Sequence, residues 1–496
     1  MTPTTRRAAL ALLAIVVAAP FFVATTFIGD DYLFLSFARH APNPLAPFVS
    51  DHHGGEYYRP LPMAIWWLLG RRGLGSAPFA ALALALHTGV AMMVVLLLRR
   101  LQRPAAVAVA AGALVLIAPQ NLEAAYWFSA STDLLATAFA LASLLALTSD
   151  RKLASAAAAF AAYLSKESAY VLPLLAVLVL PNLPWRRRLL AAAPHAGLLA
   201  LVIVARTLVL GGGRGGAGDP RTGPAGVSLQ VAAGLSHVFT GNGVLPEALA
   251  FAVGAAIVAL TVLAVARQRH IPARFTPLVF VALAVAPLFA AGSALGARYF
   301  YLASVGIAWA VAEAVAGIGG AARLTILALI LGVGGLQAAK RRGDVVSYDR
   351  RVAAARRAVT TGLAAGYRVF HIDGGIKDLD LAVKQHRDLA PAARDILVLN
   401  DVPASFAIIP ERLSEAAAIV VASPPLPPSG AYRFGDVRIV GLARRGDEPD
   451  LVEVVTRLPD IRFIRMRPLP GGQIVTRDIT LELRSQLDVA REAGQD

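Results

Sequence analysis

The feature that most constrains this chain is an apolar run, Ala8 to Ile28, that ends directly on Gly29-Asp30-Asp31-Tyr32. At about 1.5 Å per residue such a run crosses a hydrocarbon layer of ~30 Å, so it predicts one membrane-spanning helix. Two carboxylates at the mouth of a spanning helix are costly unless they meet water, a cation or a proton acceptor. The plain reading is a polar stop at the interface. A polar loop rich in aromatic, His and Pro residues follows, and the chain returns to the membrane at Arg59-Pro60-Leu61.

Composition agrees with repeated crossing. The hydrophobic fraction is 57% and the mean hydropathy +0.61, spread over many long runs. Arg6 and Arg7 precede the first run as in a secretory signal, but the run is long for one and further spans follow. It reads as an uncleaved helix with its N-terminus inside. No cysteine is present, which excludes disulfides, thiolate metal sites and a thiol nucleophile. The net charge of +15 does not argue for nucleic acid, because much of the basic charge lies in short turns between apolar runs. Such turns face the cytoplasm and anionic membrane lipids.

Further spans are predicted at Ala77–Leu98, Ala105–Ala118, Leu134–Leu147, Leu153–Leu164, Ala169–Leu180 and Leu189–Leu210. The remainder are Leu249–Ala266, Pro277–Ala291, Tyr299–Ile318 and the short Leu324–Leu336. Reading Leu153–Leu180 as a hairpin of two short helices keeps Arg186, Arg187 and Arg188 inside. Gly211–Gly226 lacks the ending of a phosphate-binding loop and reads as a linker. Val227–Leu245 reads as interfacial or re-entrant. The tally is about eleven crossings of ~20 residues or fewer. An odd number places the C-terminus outside, and Lys340, Arg341 and Arg342 at the last exit run against that topology.

The expected domains are a transmembrane domain over 1–339 and a soluble one over 344–496. In the latter, helical spacing over Asp344–Leu363 and Leu379–Leu389 accompanies apolar, β-branched runs. Those runs are Tyr367–Ile372, Asp395–Leu399, Ala418–Val421, Val437–Val440, Leu451–Val455, Ile461–Met466 and Gln473–Leu483. Strands that first alternate with helices and then follow one another predict a small α/β or α+β domain. The fold class is thus a polytopic α-helical membrane protein carrying that domain.

This topology gathers the unusual residues on the external side: Asp30, Asp31, Arg59, Glu123, Lys166, Glu167 and Arg298. Each has a plainer reading. Lys166-Glu167 reads equally as an interfacial ion pair. Arg298 reads as snorkelling to headgroups and Arg59 as an anchor of the re-entering helix. Tyr299 and Tyr301 read as interfacial aromatics. Asp51, His52, His53 and Glu56 have the ligand types for a divalent metal, but a loop this polar is more often solvated. No cofactor is assigned, and the metal stays open.

The ordered series Asp30-Asp31, Tyr58-Arg59-Pro60-Leu61 and His87 resembles the GT-C superfamily of membrane glycosyltransferases. The likeness is to bacterial relatives of the TPR-containing transmembrane O-mannosyltransferases. No 34-residue helical repeat is present, so their TPR array is absent. The segments Pro119-Gln120-Asn121-Leu122-Glu123-Ala124, Ser165-Lys166-Glu167 and Arg298-Tyr299-Phe300-Tyr301-Leu302 are similar to segments of that family, in the same order. The likeness runs to about Gly317. One departure is Ser131-Thr132-Asp133, where relatives often have Gly-Arg-Ala-Asp.

The resemblance implies transfer of a sugar from a polyprenyl-phosphate-linked donor to a protein, glycan or lipid hydroxyl on the extracytoplasmic face. It implies Asp30 or Asp31 as the base, a role worth about 10²–10⁴-fold. Arg298 and Lys166 would contact the phosphate, with Arg59, Glu167 and Tyr299 lining the substrate and Glu123 orienting the acceptor or the acidic loop. The expected location is a bacterial inner membrane, with the N-terminus cytoplasmic and the C-terminal domain extracytoplasmic. A lipid or glycan transporter and a membrane scaffold are the competing classes. Transporters tend to show paired repeats and broken midplane helices, and no repeat is seen here.

Overall fold

The computed structural model describes residues 26–28, 31–50, 57–71, 75–211, 224–236, 238, 248–249, 252, 254–256, 259, 262, 275–291, 297–317 and 320–364. It also describes eight strands between 369 and 478. The chain divides into two units, one of 1–26 and 37–343, the other of 27–36 and 344–496.

The first unit is helical. Ahead of Arg59 lie α1 (Asp31–His40, shared between the units) and α2 (Ala46–Val49), where a polar loop is expected. There follow α3 (Pro60–Gly70), α4 (Ala77–Arg100), α5 (Ala105–Ile117) and α6 (Pro119–Tyr126). After a 3-10 turn at Phe128–Ala130 come α7 (Ser131–Thr148) and α8 (Lys152–Tyr163). A 3-10 turn at Glu167–Val171 leads into α9 (Leu172–Leu178), then α10 (Trp185–Val209) and α11 (Pro224–Ser236). The last helices are α12 (Thr276–Ala291), α13 (Tyr301–Ala316), preceded by a 3-10 turn at Ala297–Phe300, and α14 (Gly320–Ala364), whose residues from 344 on belong to the second unit.

Among the described residues four helices are long and apolar enough to cross a membrane, or five if the bent pair α5–α6 counts as one. The expected first span falls largely in 1–25, and most of Leu249–Ala266 also lies outside the described residues. The short apolar helices are α3, the Glu167–Leu178 segment and Thr276–Phe289. One expectation changes form. Leu324–Leu336 and Asp344–Leu363 are parts of one helix, α14, because no Pro or helix-stopping turn separates them.

Two hairpins give the unit its register. The α4–α5 turn closes with Gln102 in the left-handed region at φ 60, while the Arg103 and Gln102 amides bond to Leu98 O and Arg99 O at 2.9 and 3.1 Å. The α7–α8 turn repeats this with Asp150 at φ 55 and the Arg151 and Asp150 amides on Ala146 O and Leu147 O at 2.8 and 3.0 Å. Both satisfy the orphan carbonyls of a helix end, each with a non-glycine residue in the cap position. The α4–α5 contact is close enough to require Gly112. A Cβ there would lie 2.8 Å from Ala91 O and 2.6 Å from Val95 Cγ2.

α13 is the central helix, with 89% of its span buried, whereas only 17% of the α10 span is buried. α10 accordingly presents Leu190, Leu201, Val204 and Leu208 outward, as a lipid-facing helix does.

In the second unit, β1 (Val369–Ile372), β2 (Leu397–Asn400), β7 (Phe463–Pro468) and β8 (Ile474–Asp478) form one sheet in the order β2-β1-β7-β8. β1 runs parallel to both neighbours, with Val369 opposite Leu397 and Phe463, and β7–β8 is antiparallel. β3 (Tyr432–Phe434) pairs with β4 (Val437–Ile439), and β5 (Leu442–Arg445) with β6 (Glu448–Val452), both antiparallel. The expected helix Leu379–Leu389 and the run Ala418–Val421 lie outside the described residues.

Candidate functional site

Hairpin register brings charged residues to one end of the helical unit. Ser143 and Ser155 face each other across α7–α8, and each hydroxyl donates to the other's carbonyl, at 2.8 and 2.9 Å. Continued to the open mouth, the same register sets Asp133 opposite Lys166. Lys166 Nζ donates to Asp133 Oδ1 and Oδ2 at 2.7 and 2.6 Å, with side-chain exposures of 4% and 2%. Asp133 belongs to the segment where the sequence departs from the resembling family, and its partnership with Lys166 is not expected from the sequence. The available signal is one carboxylate in the first turn of an otherwise uncharged helix.

The mouth is tied to the start of α3 by the Leu61 amide, which donates to Leu164 O at 3.2 Å. Pro60 opens α3 because its missing N–H falls where helices have no intrahelical acceptor. Arg59, directly before it, therefore stands at the same end. Its Nε and one Nη donate to Glu167 Oε2 at 3.0 and 2.8 Å, and its guanidinium lies 4.1 Å from the Tyr57 ring centroid.

Pro119 bends the chain between α5 and α6 by 56°. Proline restricts the residue before it to extended backbone, and Ala118 lies at φ −56, ψ 121. The bend carries α6 across the end of the unit, where Glu123 Oε1 accepts from Arg298 at 3.2 Å. Glu123 Oε2 lies 3.9 Å from Arg341. The Tyr126 hydroxyl also donates to Ala338 O at 3.3 Å. The basic run 340–342 thus has a carboxylate beside it at this end.

Tyr299 joins the parts. Lys166 Nζ lies 4.2 Å and Arg298 Cζ 5.3 Å from its ring centroid, while Arg298 also covers Trp127 at 4.1 Å. These are cation–π distances. Burial pulls the Lys166 ammonium down, Asp133 pulls it back up, and the Arg59 and Arg298 charges lower it again, leaving it at about 8.

Arg59, Glu123, Lys166, Glu167, Arg298 and Tyr299 are therefore one connected cluster. Of the expected base pair, Asp30 lies outside the described residues. Asp31 is buried, and its Oδ2 accepts the Ile28 amide at 3.0 Å in the first turn of α1. It falls in the other unit of the chain. Asp51, His52, His53 and Glu56 lie outside the described residues. Among the described residues, no three His, Asp or Glu side chains gather as a metal site.

Chemically, the cluster offers guanidinium and ammonium donors, each oriented by a carboxylate, beside aromatic faces at helix ends. That arrangement suits an anionic group with an apolar attachment. No protein-family model matches the chain, and no curated protein matches it.

Proposed function

We propose that this protein is an integral membrane glycosyltransferase of the GT-C type, moving a sugar from a polyprenyl-phosphate-linked donor to a hydroxyl of a protein, glycan or lipid. The observation that carries the reading is the gathering of Arg59, Lys166 and Arg298 near Tyr299, each with its own carboxylate. Departure of a lipid phosphate leaves a dianion at the membrane surface. Cations already fixed there stabilise it without reorganising as the charge develops. Arg298 offers the planar fork that suits phosphate, Lys166 a point charge. Asp30 or Asp31 takes the acceptor proton, an assignment resting on the resemblance. A divalent metal is left open.

The same reading takes in about eleven crossings, an α/β or α+β C-terminal domain outside the cytoplasm, and a bacterial inner membrane with the N-terminus inside. The Arg341–Glu123 pair supports the odd number of crossings, since it brings the last exit to the same end as the charged cluster.

The test uses purified protein in lipid nanodiscs with radiolabelled polyprenyl-phosphate hexoses and pentoses and an envelope-protein extract as acceptor. The expected result is label on the acceptor, lost in Arg298→Ala. Absence of transfer from every donor, together with no saturable binding of undecaprenyl phosphate, overturns the reading.

A further inference from the structure

We propose that His87 is a positioning residue that sets the spacing of the Glu123–Arg298 pair from beneath, through one hydrogen bond on each side. The bend at Pro119 leaves the last carbonyls of α5 without their helical partners. Asn121 Nδ2 satisfies Val115 O at 2.9 Å, and His87 Nε2 satisfies Leu116 O at 3.0 Å. A carbonyl only accepts, so Nε2 carries the proton. In the neutral ring Nδ1 is then an acceptor. The partner of Nδ1 is the Tyr301 hydroxyl, 2.5 Å away, which must be the donor. His87 and Tyr301 are both buried, at 3% and 1% exposure, so water does not compete for these bonds.

The two contacts fall on the two backbones that carry the ion pair. Leu116 O lies at the elbow leading to Glu123, and Tyr301 follows Arg298 by three residues. α4 supplies His87 in the register fixed by the Gly112–Ala91 approach, one helical turn from it on each helix. Loss of the Tyr301–His87 bond therefore loosens the Arg298 segment while leaving the elbow capped.

The functional arm of this proposal rests on the phosphate reading. Geranyl phosphate is the probe, titrated into protein in detergent by calorimetry. Tyr301→Phe removes the donor. His87→Gln keeps an N–H for Leu116 O, but its acceptor is the Oε1 beside that N–H, off the ring Nδ1 position that Tyr301 meets. Each is expected to weaken binding about fivefold, the worth of one buried hydrogen bond. The double variant should be no weaker than either single one, and Tyr301→Phe should cost nothing further in an Arg298→Ala background. Binding unchanged in Tyr301→Phe, or losses that simply multiply with Arg298→Ala, overturns the proposal. If the unaltered protein does not bind geranyl phosphate, the phosphate reading fails. The positioning role is then decided by melting temperatures of Tyr301→Phe, Glu123→Gln and their combination. A combined shift smaller than the two single shifts together supports it, and additive shifts overturn it.

Discussion

Lys166 and Asp133, thirty-three positions apart, meet at the open mouth of the α7–α8 hairpin, where the ammonium donates to both carboxylate oxygens. Both side chains are almost fully buried, so the pair is paid for in desolvation and held by geometry. Removing either partner leaves a buried charge alone.

Asp133→Ala and Lys166→Met should therefore each destabilise the protein by about 3–5 kcal/mol. The Asp133→Leu, Lys166→Met double variant should recover most of that loss, because two apolar side chains need no partner. Isoprenyl phosphate binding should stay lost in the double variant. Unfolding in detergent and calorimetry on the same samples measure the two separately, and a double variant that binds normally would remove Lys166 from the phosphate site.

The pH dependence has a definite sign. Lys166 is lowered from the ordinary 10.5 to about 8 by burial, against Asp133 and with the help of Arg59 and Arg298. The charged form holds phosphate, so binding should weaken as pH rises through about 8. Stability should not fall with it. Between the folded and ordinary values the unfolded chain holds the lysine proton more tightly, so this group's contribution to folding becomes more favourable as pH rises there. Titrations of affinity and melting temperature from pH 6 to 10 separate the two, and Lys166→Arg should remove the affinity step.

The two aspartates should behave differently. Asp31 Oδ2 accepts the Ile28 amide, a bond that Asn preserves through its carbonyl oxygen. Asp31→Asn is expected to cost little, whereas Asp30→Asn should lower turnover by about 10²–10⁴ with donor binding retained. Near-normal turnover in both folded variants would end the proposed mechanism.

Gly112→Ala probes the scaffold alone. The added methyl meets the Ala91 carbonyl, a backbone atom that cannot swing away, so α5 must move off α4. A loss of about 1–3 kcal/mol is expected, read by unfolding in detergent. A stability equal to that of the unaltered protein would show that the helices separate without strain.

Continuity of apolar residues alone located α4, α5, α7, α10, α12 and α13 to within a few residues, because an unbroken apolar run of this length marks a helix whatever it packs against. Pro60 likewise announced a helix start, since a missing N–H has few places to go. Pro119 was legible only as the end of the run Ala105–Ala118, and the helix α6 that it opens was not. The helical α1 was not legible, for its apolar residues are interleaved with Asp31, Ser36, Arg39 and His40 and read as loop. The site was legible as a set of residue types sharing one side of a topology. Who pairs with whom was not. Arg59 and Glu167 are 108 positions apart and Arg298 and Glu123 are 175 apart. Those partnerships, Asp133 for Lys166 and Tyr301 for His87 follow from hairpin register, the 56° elbow and the packing of α13. Charge and hydropathy decide which end of a helix a residue occupies, but only the packed helices decide which atoms come within hydrogen-bond distance.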